Sequence, residues 1–205
     1  MNKIFPPFFI FTIALMLSSC SNEPSPDEIK YIEKIKKIRM EKDEFMQNDP
    51  SSPFNIDTTA HFRELNYYDV NPDFVFKSKL YEYENKDTVI ILGTKGEKRI
   101  AVRYGYLKFR YDDKEYKVNV YSGTTNTGEE YFSIWFTDKT TGSETYGVGR
   151  YIDFEKNPDK EFIYTLDFNL AYNPYCAYTP VYSCAIPTKE DYIDLAIEAG
   201  EKNFH

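Results

Sequence analysis

The spacing of apolar positions changes from a helical to an extended period along this chain. Ahead of a proline-containing break at residues 48–53, isoleucines recur every three residues among lysines and glutamates, at Ile29, Ile32, Ile35 and Ile38. This spacing predicts an amphipathic helix, and the sequence Ser-Pro-Asp-Glu at 25–28 is a capping box that marks its N-terminus. Because the apolar stripe is narrow, we expect one face of the helix to lie on the rest of the chain.

Beyond residue 65 apolar side chains alternate with polar ones, which is the pattern of half-buried strands. Short turns separate the alternating segments, which cover residues 74–81, 89–92, 100–111, 116–120, 131–136, 146–154 and 162–168. The pattern predicts a mainly β fold: a single antiparallel β-meander closed into a barrel or sandwich, with the amphipathic helix at its N-terminus.

Two local features refine this prediction. Within residues 100–111, apolar side chains occupy even positions up to Tyr106 and odd positions from Leu107 to Tyr111. A phase shift of this kind beside a glycine, here Gly105, predicts a β-bulge. Near the end of the chain, residues 189–196 are predicted to form a short terminal helix.

The first twenty residues carry an export signal. Lys3 precedes an apolar run at 8–17 that is too short to span a bilayer, and Leu-Ser-Ser-Cys follows at 17–20. The segment resembles the lipobox of bacterial lipoproteins, which implies cleavage before Cys20 and lipid attachment to it. We therefore expect a signal peptide at 1–19, a tether at 20–26 and a single β-rich domain at 27–205, anchored to a membrane of the cell envelope. The alternative is an ordinary secretory signal with an incidental cysteine.

Composition limits the classes of partner and cofactor. The formal charge of −8 and the pI near 4.9, with no basic stripe, argue against nucleic-acid binding. Histidine occurs only at His61 and His205, so neither a metal site nor another cofactor is expected. In an exported protein the pair Cys176 and Cys184 favours a disulfide, with free thiols as the second interpretation and a metal site as a distant third.

Polar residues in and after the last strands are candidates for a binding site. Arg103 and Arg150 each stand in an alternating strand beside a tyrosine and a glycine, where an inward arginine needs an acidic partner such as Asp167 or Glu201. Such a pair at a pocket mouth would recognise a carboxylate or phosphate, whereas a buried pair would be a structural clamp. The predicted strand-end pocket comprises Arg103, Tyr146, Arg150, Asp167, Asn169, Tyr172 and Asn173.

The C-terminal block resembles a known family. The sequence at 166–178, together with 144–151, 199–202 and the Gly-Thr-Lys-Gly turn at 93–96, is similar to the signature of a bacterial family catalogued as domain of unknown function 1684. The resemblance extends over about residues 32–204. It implies an envelope lipoprotein but brings no agreed activity, substrate or catalytic residues. Where relatives often carry two prolines after the second cysteine, this chain has one, Pro187.

Three functional hypotheses remain open. Tyrosines and asparagines in the C-terminal block suit stacking on, and hydrogen bonding to, a glycan, cell-wall or peptide ligand, which favours a non-enzymatic binding or accessory module. Tyrosine also simply fits β-strands. The alternative is a hydrolase of envelope glycans or esters, built on two carboxylates among Glu144, Asp153, Asp167 and Glu201. A scaffold that contacts other envelope proteins is the third.

Overall fold

A computed structural model describes residues 23–125 and 127–204 of the chain. The predicted signal peptide and Cys20 lie outside these residues. Within them, no helix is both long and apolar enough to cross a membrane.

The N-terminal helix, α1 (Pro26–Asn48), forms where the capping box predicts it. The backbone N–H of Glu28 donates to Ser25 Oγ at 3.3 Å, and the backbone N–H of Ser25 donates to Glu28 Oε2 at 2.6 Å. Ile35 and Met46 are buried. The prediction that one face of this helix lies on the rest of the chain is confirmed.

Short strands make up most of the remaining regular structure. A four-residue helix, α2 (Pro53–Ile56), follows α1, and 3-10 turns form at Pro72–Phe74, Phe168–Leu170, Tyr175–Ala177 and Lys189–Asp191. The strands are β1 (Val75–Ser78), β2 (Tyr81–Glu82), β3 (Thr88–Leu92), β4 (Lys98–Tyr111), β5 (Lys114–Thr124), β6 (Glu130–Asp138), β7 (Arg150–Phe154), β8 (Tyr164–Asp167) and β9 (Tyr192–Ile193).

The main sheet is almost entirely antiparallel, as predicted. Its strand order is β2-β4-β5-β6-β7, with β3 also paired to β4, and β1 and β8 form a separate two-stranded sheet. Among the described residues no ladder joins β7 back to β2 or β3, so the sheet is open and the predicted closure into a barrel is not found. The register of β4 against β5 shifts between Arg103 and Gly105, which confirms the bulge.

The predicted terminal helix at 189–196 is wrong. That segment is a 3-10 turn followed by β9, which runs parallel to β6. The buried Asp191 carboxylate accepts hydrogen bonds at 2.8 Å from both Tyr121 Oη and Asn119 Nδ2. These contacts hold the chain against the sheet and prevent it from continuing as a helix.

The predicted disulfide is also absent, since Cys176 and Cys184 are both free thiols. The loop between them places the Cys184 sulfur over the backbone of the other cysteine, where it accepts a hydrogen bond from the Cys176 N–H at 3.2 Å.

The two faces of the main sheet carry different apolar clusters. One face packs the main core, which includes Leu107, Val120, Ile134 and Phe136. The opposite face carries a smaller cluster that includes Ile91, Ala101, Tyr121 and Trp135. Because side chains alternate along a strand, Ile134 and Trp135 serve different faces. The second face forms one wall of the cleft described below.

Candidate ligand-binding site

An open cleft of about 900 Å³ lies between α1, the second face of the sheet and the loop segment 169–185. This volume falls within the range typical of small-molecule sites. Its walls are mostly apolar and aromatic. They come from parts of the chain far apart in sequence: residues 38–46 of α1, Ile91 with 99–101, 131–135 with 151–153, and 169–175 with 182–185.

Trp135 is the central aromatic residue of the sheet wall. It stacks on Tyr121 with ring centroids 4.7 Å apart and planes 11° from parallel. Tyr151, its cross-strand partner on β7, packs against it at 6.0 Å, and Ala101 is small enough to leave space above the sheet. Trp135 is also the only tryptophan in the sequence.

Cations outnumber acids among the charged residues of the cleft lining. In the part of the chain that the structure describes, these residues are Arg39, Lys42, Arg99 and a single acid, Asp153. The chain as a whole carries a formal charge of −8. A lining cation without an acidic partner would favour an acceptor-rich or anionic ligand group over a cationic one.

The three cations differ in how they are compensated. Lys42 Nζ lies 2.9 Å from a Glu201 carboxylate oxygen, and Arg99 pairs with the neighbouring Glu97. Arg39 instead donates to two backbone carbonyls, Tyr68 O at 2.8 Å and Asn169 O at 3.4 Å. Burial lowers the pKa of the Arg39 guanidinium, because it removes water from the charged form.

Several hydrogen-bonding groups of the cleft are already occupied by the protein. Tyr172 Oη donates to Asp153 Oδ1 at 2.6 Å, and Tyr151 Oη donates to the carbonyl of Ala185. The Asn169 side chain brackets the backbone of Asn71, donating to its carbonyl and accepting from its N–H, each at 2.8 Å. These groups shape the walls and offer little free capacity to a ligand.

Cys184 also lines the cleft, and Cys176 lies behind it. Hydrogen bonds from the Cys184 side chain and from Tyr146 stabilise the thiolate and lower the pKa of Cys176 to about 7.

A model of the family described as protein of unknown function (DUF1684) matches residues 60–202. The chain belongs to this family. A solution NMR structure of an uncharacterized protein from Haloarcula marismortui is similar to it, with 27% sequence identity and a TM-score of 0.61. The similarity covers 86% of this chain and 96% of that one. No curated protein matches.

Most polar residues in the blocks that resemble the DUF1684 signature stabilise the fold. Arg150, 1% exposed, lies 2.9 Å from Asp138 and donates to the carbonyls of Ile197 and Ala199. The paired acid is therefore Asp138, and the interaction is a buried clamp. Burial lowers the pKa of Arg150, and the charge of Asp138 opposes that effect.

Asn173 and Glu201 extend this arrangement. Fully buried Glu201 accepts from the backbone and side-chain N–H groups of Asn173 at 3.1 and 3.0 Å, and its own carbonyl lies 3.4 Å from Arg150 Nη1. Gly200 has a positive φ of 79°, and a Cβ there would lie 2.6 Å from Phe168 O. We call Asp138, Arg150, Asn173 and Glu201 the polar clamp.

The other predicted residues are dispersed. Asp167 accepts from Tyr31 Oη of α1 at 2.9 Å, so it fastens the helix. Arg103 pairs with Glu190, and Tyr146 Oη donates to the carbonyl of Cys176 at 3.1 Å. Of the seven residues predicted to form one pocket, the cleft lining includes Asn169 and Tyr172.

The carboxylates proposed for a hydrolase are likewise apart. Among the four candidates, all within the described residues, Asp153 alone lines the cleft, while Asp167 and Glu201 are buried in separate networks and Glu144 is exposed. The described residues also hold no group of three or more His, Cys, Asp or Glu side chains able to bind a metal ion.

The cations of α1 were not predicted to be part of the site. Ile35, Arg39, Lys42 and Met46 follow each other at spacings of four, three and four residues, which places them on one helical face. Two charged residues inside the buried stripe of an amphipathic helix could have indicated a functional site.

Proposed function

We propose that this protein is a non-enzymatic binding module of the bacterial cell envelope, held to a membrane through lipidated Cys20. Its ligand occupies the cleft between α1 and the sheet. The observation that carries the proposal is the cleft itself: about 900 Å³ of open space with predominantly apolar and aromatic walls. Folded proteins normally fill such space with their own side chains, and its retention is typical of ligand sites.

The arrangement of carboxylates supports binding over hydrolysis. A glycosidase places two carboxyl groups on opposite sides of the scissile bond, about 5–10 Å apart. Among the described residues Asp153 is the one carboxylate of the cleft lining, and its Oδ1 already accepts from Tyr172. The glycan, cell-wall or peptide ligand expected from the sequence would bind as an intact molecule.

Trp135 makes the proposal testable without knowledge of the natural ligand. The probe is N-phenyl-naphthylamine, a neutral apolar dye whose absorption overlaps tryptophan emission. The protein is the full chain carrying Cys20→Ser, which removes the proposed acyl chains as competitors. We expect saturable energy transfer from Trp135 to the dye.

The Cys20→Ser substitution also tests the proposed anchor. It is expected to move the protein from the membrane fraction to the soluble fraction.

Two matched variants locate the dye. Tyr131 and Tyr81 are similarly exposed, 42% and 41%, and Tyr131 lines the cleft on the face of β6 that carries Trp135, whereas Tyr81 does not line the cleft. Tyr131→Glu places a charge beside the apolar walls and is expected to weaken dye binding about tenfold. Tyr81→Glu is expected to leave it unchanged. Equal effects of both substitutions, or no energy transfer in the parent chain, would refute the proposal.

A further inference from the structure

Arg39 is the cleft cation without an acidic partner. Within the described residues no carboxylate lies within 4.0 Å of its guanidinium, whereas Lys42 has Glu201 and Arg99 has Glu97. Its only oxygen partners there are two backbone carbonyls. A half-buried cation next to apolar surface is normally paired, because desolvation of an isolated charge is costly.

Two polar atoms beside this guanidinium are also unsatisfied. Arg39 Nε and Tyr67 Oη are buried and have no hydrogen-bond partner among the described residues. The guanidinium lies over the Tyr67 ring, 4.5 Å from its centroid, and both residues line the cleft. Both atoms can donate a hydrogen bond, and neither finds an acceptor within the described residues.

The remaining walls are predominantly apolar. The side chains of Tyr151, Asn169 and Tyr172 already bond within the protein. Tyr131, Tyr175 and Tyr182 also line the cleft, and the larger part of the open surface is apolar, with Ile91, Ala101 and Trp135 on the sheet wall. Burial of an apolar ligand there is favourable, because it removes apolar surface from water.

We propose that the cleft binds an anionic amphiphile, a molecule with an apolar body and a carboxylate or phosphate head. The head pairs with Arg39 and supplies the missing acceptor, and the apolar body lies along the wall around Trp135. This inference rests on the proposed binding function and replaces the sugar-like ligand expected from the sequence with an acyl-type one.

The test compares three probes that share one alkyl chain: dodecanoate, dodecyl phosphate and dodecanol. Each is titrated below its micelle-forming or solubility limit into the Cys20→Ser chain, and Trp135 emission is followed. We expect at least one of the two anions to bind about tenfold more tightly than dodecanol. Preference for dodecanoate indicates a fatty-acid head, and preference for dodecyl phosphate indicates a phospholipid-type head; either result supports the inference.

Variants of Arg39 connect the preference to this residue. Arg39→Gln is expected to abolish the tenfold preference for an anion over dodecanol, while Arg39→Lys retains part of the preference. Arg110→Gln removes the same charge from an exposed arginine on β4 outside the cleft and serves as the control. Circular dichroism verifies that each variant is folded. If Arg39→Gln does not fold, Arg39→Lys still tests the role of this side chain.

The outcomes separate this inference from the proposed function. Equal binding of dodecanol and both anions, or a preference that survives in Arg39→Gln, overturns the anionic head and leaves the binding module standing. Probe binding that Tyr131→Glu does not weaken places the probe outside the cleft and overturns the inference. Failure of all three probes while N-phenyl-naphthylamine still binds overturns the amphiphile alone, and failure of the dye as well removes the binding function.

Discussion

The polar clamp and the cleft use charged side chains in opposite ways. In the clamp, Arg150 meets one carboxylate and backbone carbonyls, and Glu201 is surrounded by donors. In the cleft, the Arg39 guanidinium rests against an aromatic ring and, within the described residues, no carboxylate lies within 4.0 Å of it. The contrast indicates that the most conspicuous buried charges of this fold stabilise it, while the proposed binding site lies where a charge has no salt-bridge partner.

In sequence alone, the polar residues of the C-terminal block look like candidates for catalysis as much as for structure. Arg, Asp, Asn and Glu are the groups that enzymes use, but they are also the groups that join irregular segments across a core. Here the clamp fixes residues 197–201, which have little regular secondary structure, to the end of β6 and the start of β7.

The largest effect is expected from Arg150→Met. The substitution leaves the Asp138 carboxylate buried without its cation and removes the donor from three backbone carbonyl groups, so the free energy of unfolding should fall by about 3–5 kcal/mol. Urea unfolding followed by circular dichroism measures this change. Arg110→Met, at an exposed site, should remain within about 0.5 kcal/mol of the parent. A loss below 1 kcal/mol for Arg150→Met would show that the clamp does not stabilise the fold.

An intermediate effect is expected from Asn173→Ala. The variant loses hydrogen bonds to the Glu201 carboxylate and to the Lys202 carbonyl, the latter at 2.7 Å, so we expect a loss of about 1.5–3 kcal/mol. Thermal unfolding provides the measurement, with Asn203→Ala as the control because its amide makes an exposed bond to Ser143. Dye affinity of the folded variant should match the parent. A loss of dye binding without a loss of stability would show that Asn173 contributes to the binding site, and would contradict its structural role.

The smallest effect is expected from Ser25→Ala, which removes the capping hydroxyl of α1 far from the clamp. Loss of an N-cap costs about 1 kcal/mol, and here the cost should be confined to the first turns of the helix. Hydrogen exchange of α1 amides detects it as faster exchange near Glu28. Ser51→Ala, which removes an exposed hydroxyl beyond the other end of α1, should leave that exchange rate unchanged. Faster exchange throughout the main sheet would contradict a local effect.

Local features of the fold were predictable from sequence. The capping box and the bulge at Gly105 each depend on residues within a few positions, and both form as expected. The conformation of the segment at 189–196 depends on hydrogen bonds from Tyr121 and Asn119, some seventy residues earlier, to Asp191. The local helical pattern does not indicate these contacts.

The candidate site was predictable in part, for a similar reason. Asn169 and Tyr172 lie within a recognisable block and do line the cleft. Arg39 and Trp135 enter it from α1 and β6, and only the tertiary fold brings them together. A sequence shows which side chains could act chemically, but whether a charge is paired or left open is decided by contacts between distant segments.

One contact joins the two regions and constrains how the cleft can move. Lys42 belongs to the α1 wall of the cleft, yet its ammonium pairs with fully buried Glu201 of the clamp. Any swing of the helix away from the sheet would withdraw this cation and leave a charged carboxylate in a low-dielectric interior with uncharged donors alone. Large hinge-like opening is therefore disfavoured. Entry and exit of a ligand should proceed by fast rotamer changes at the rim, on the picosecond-to-nanosecond scale typical of exposed side chains.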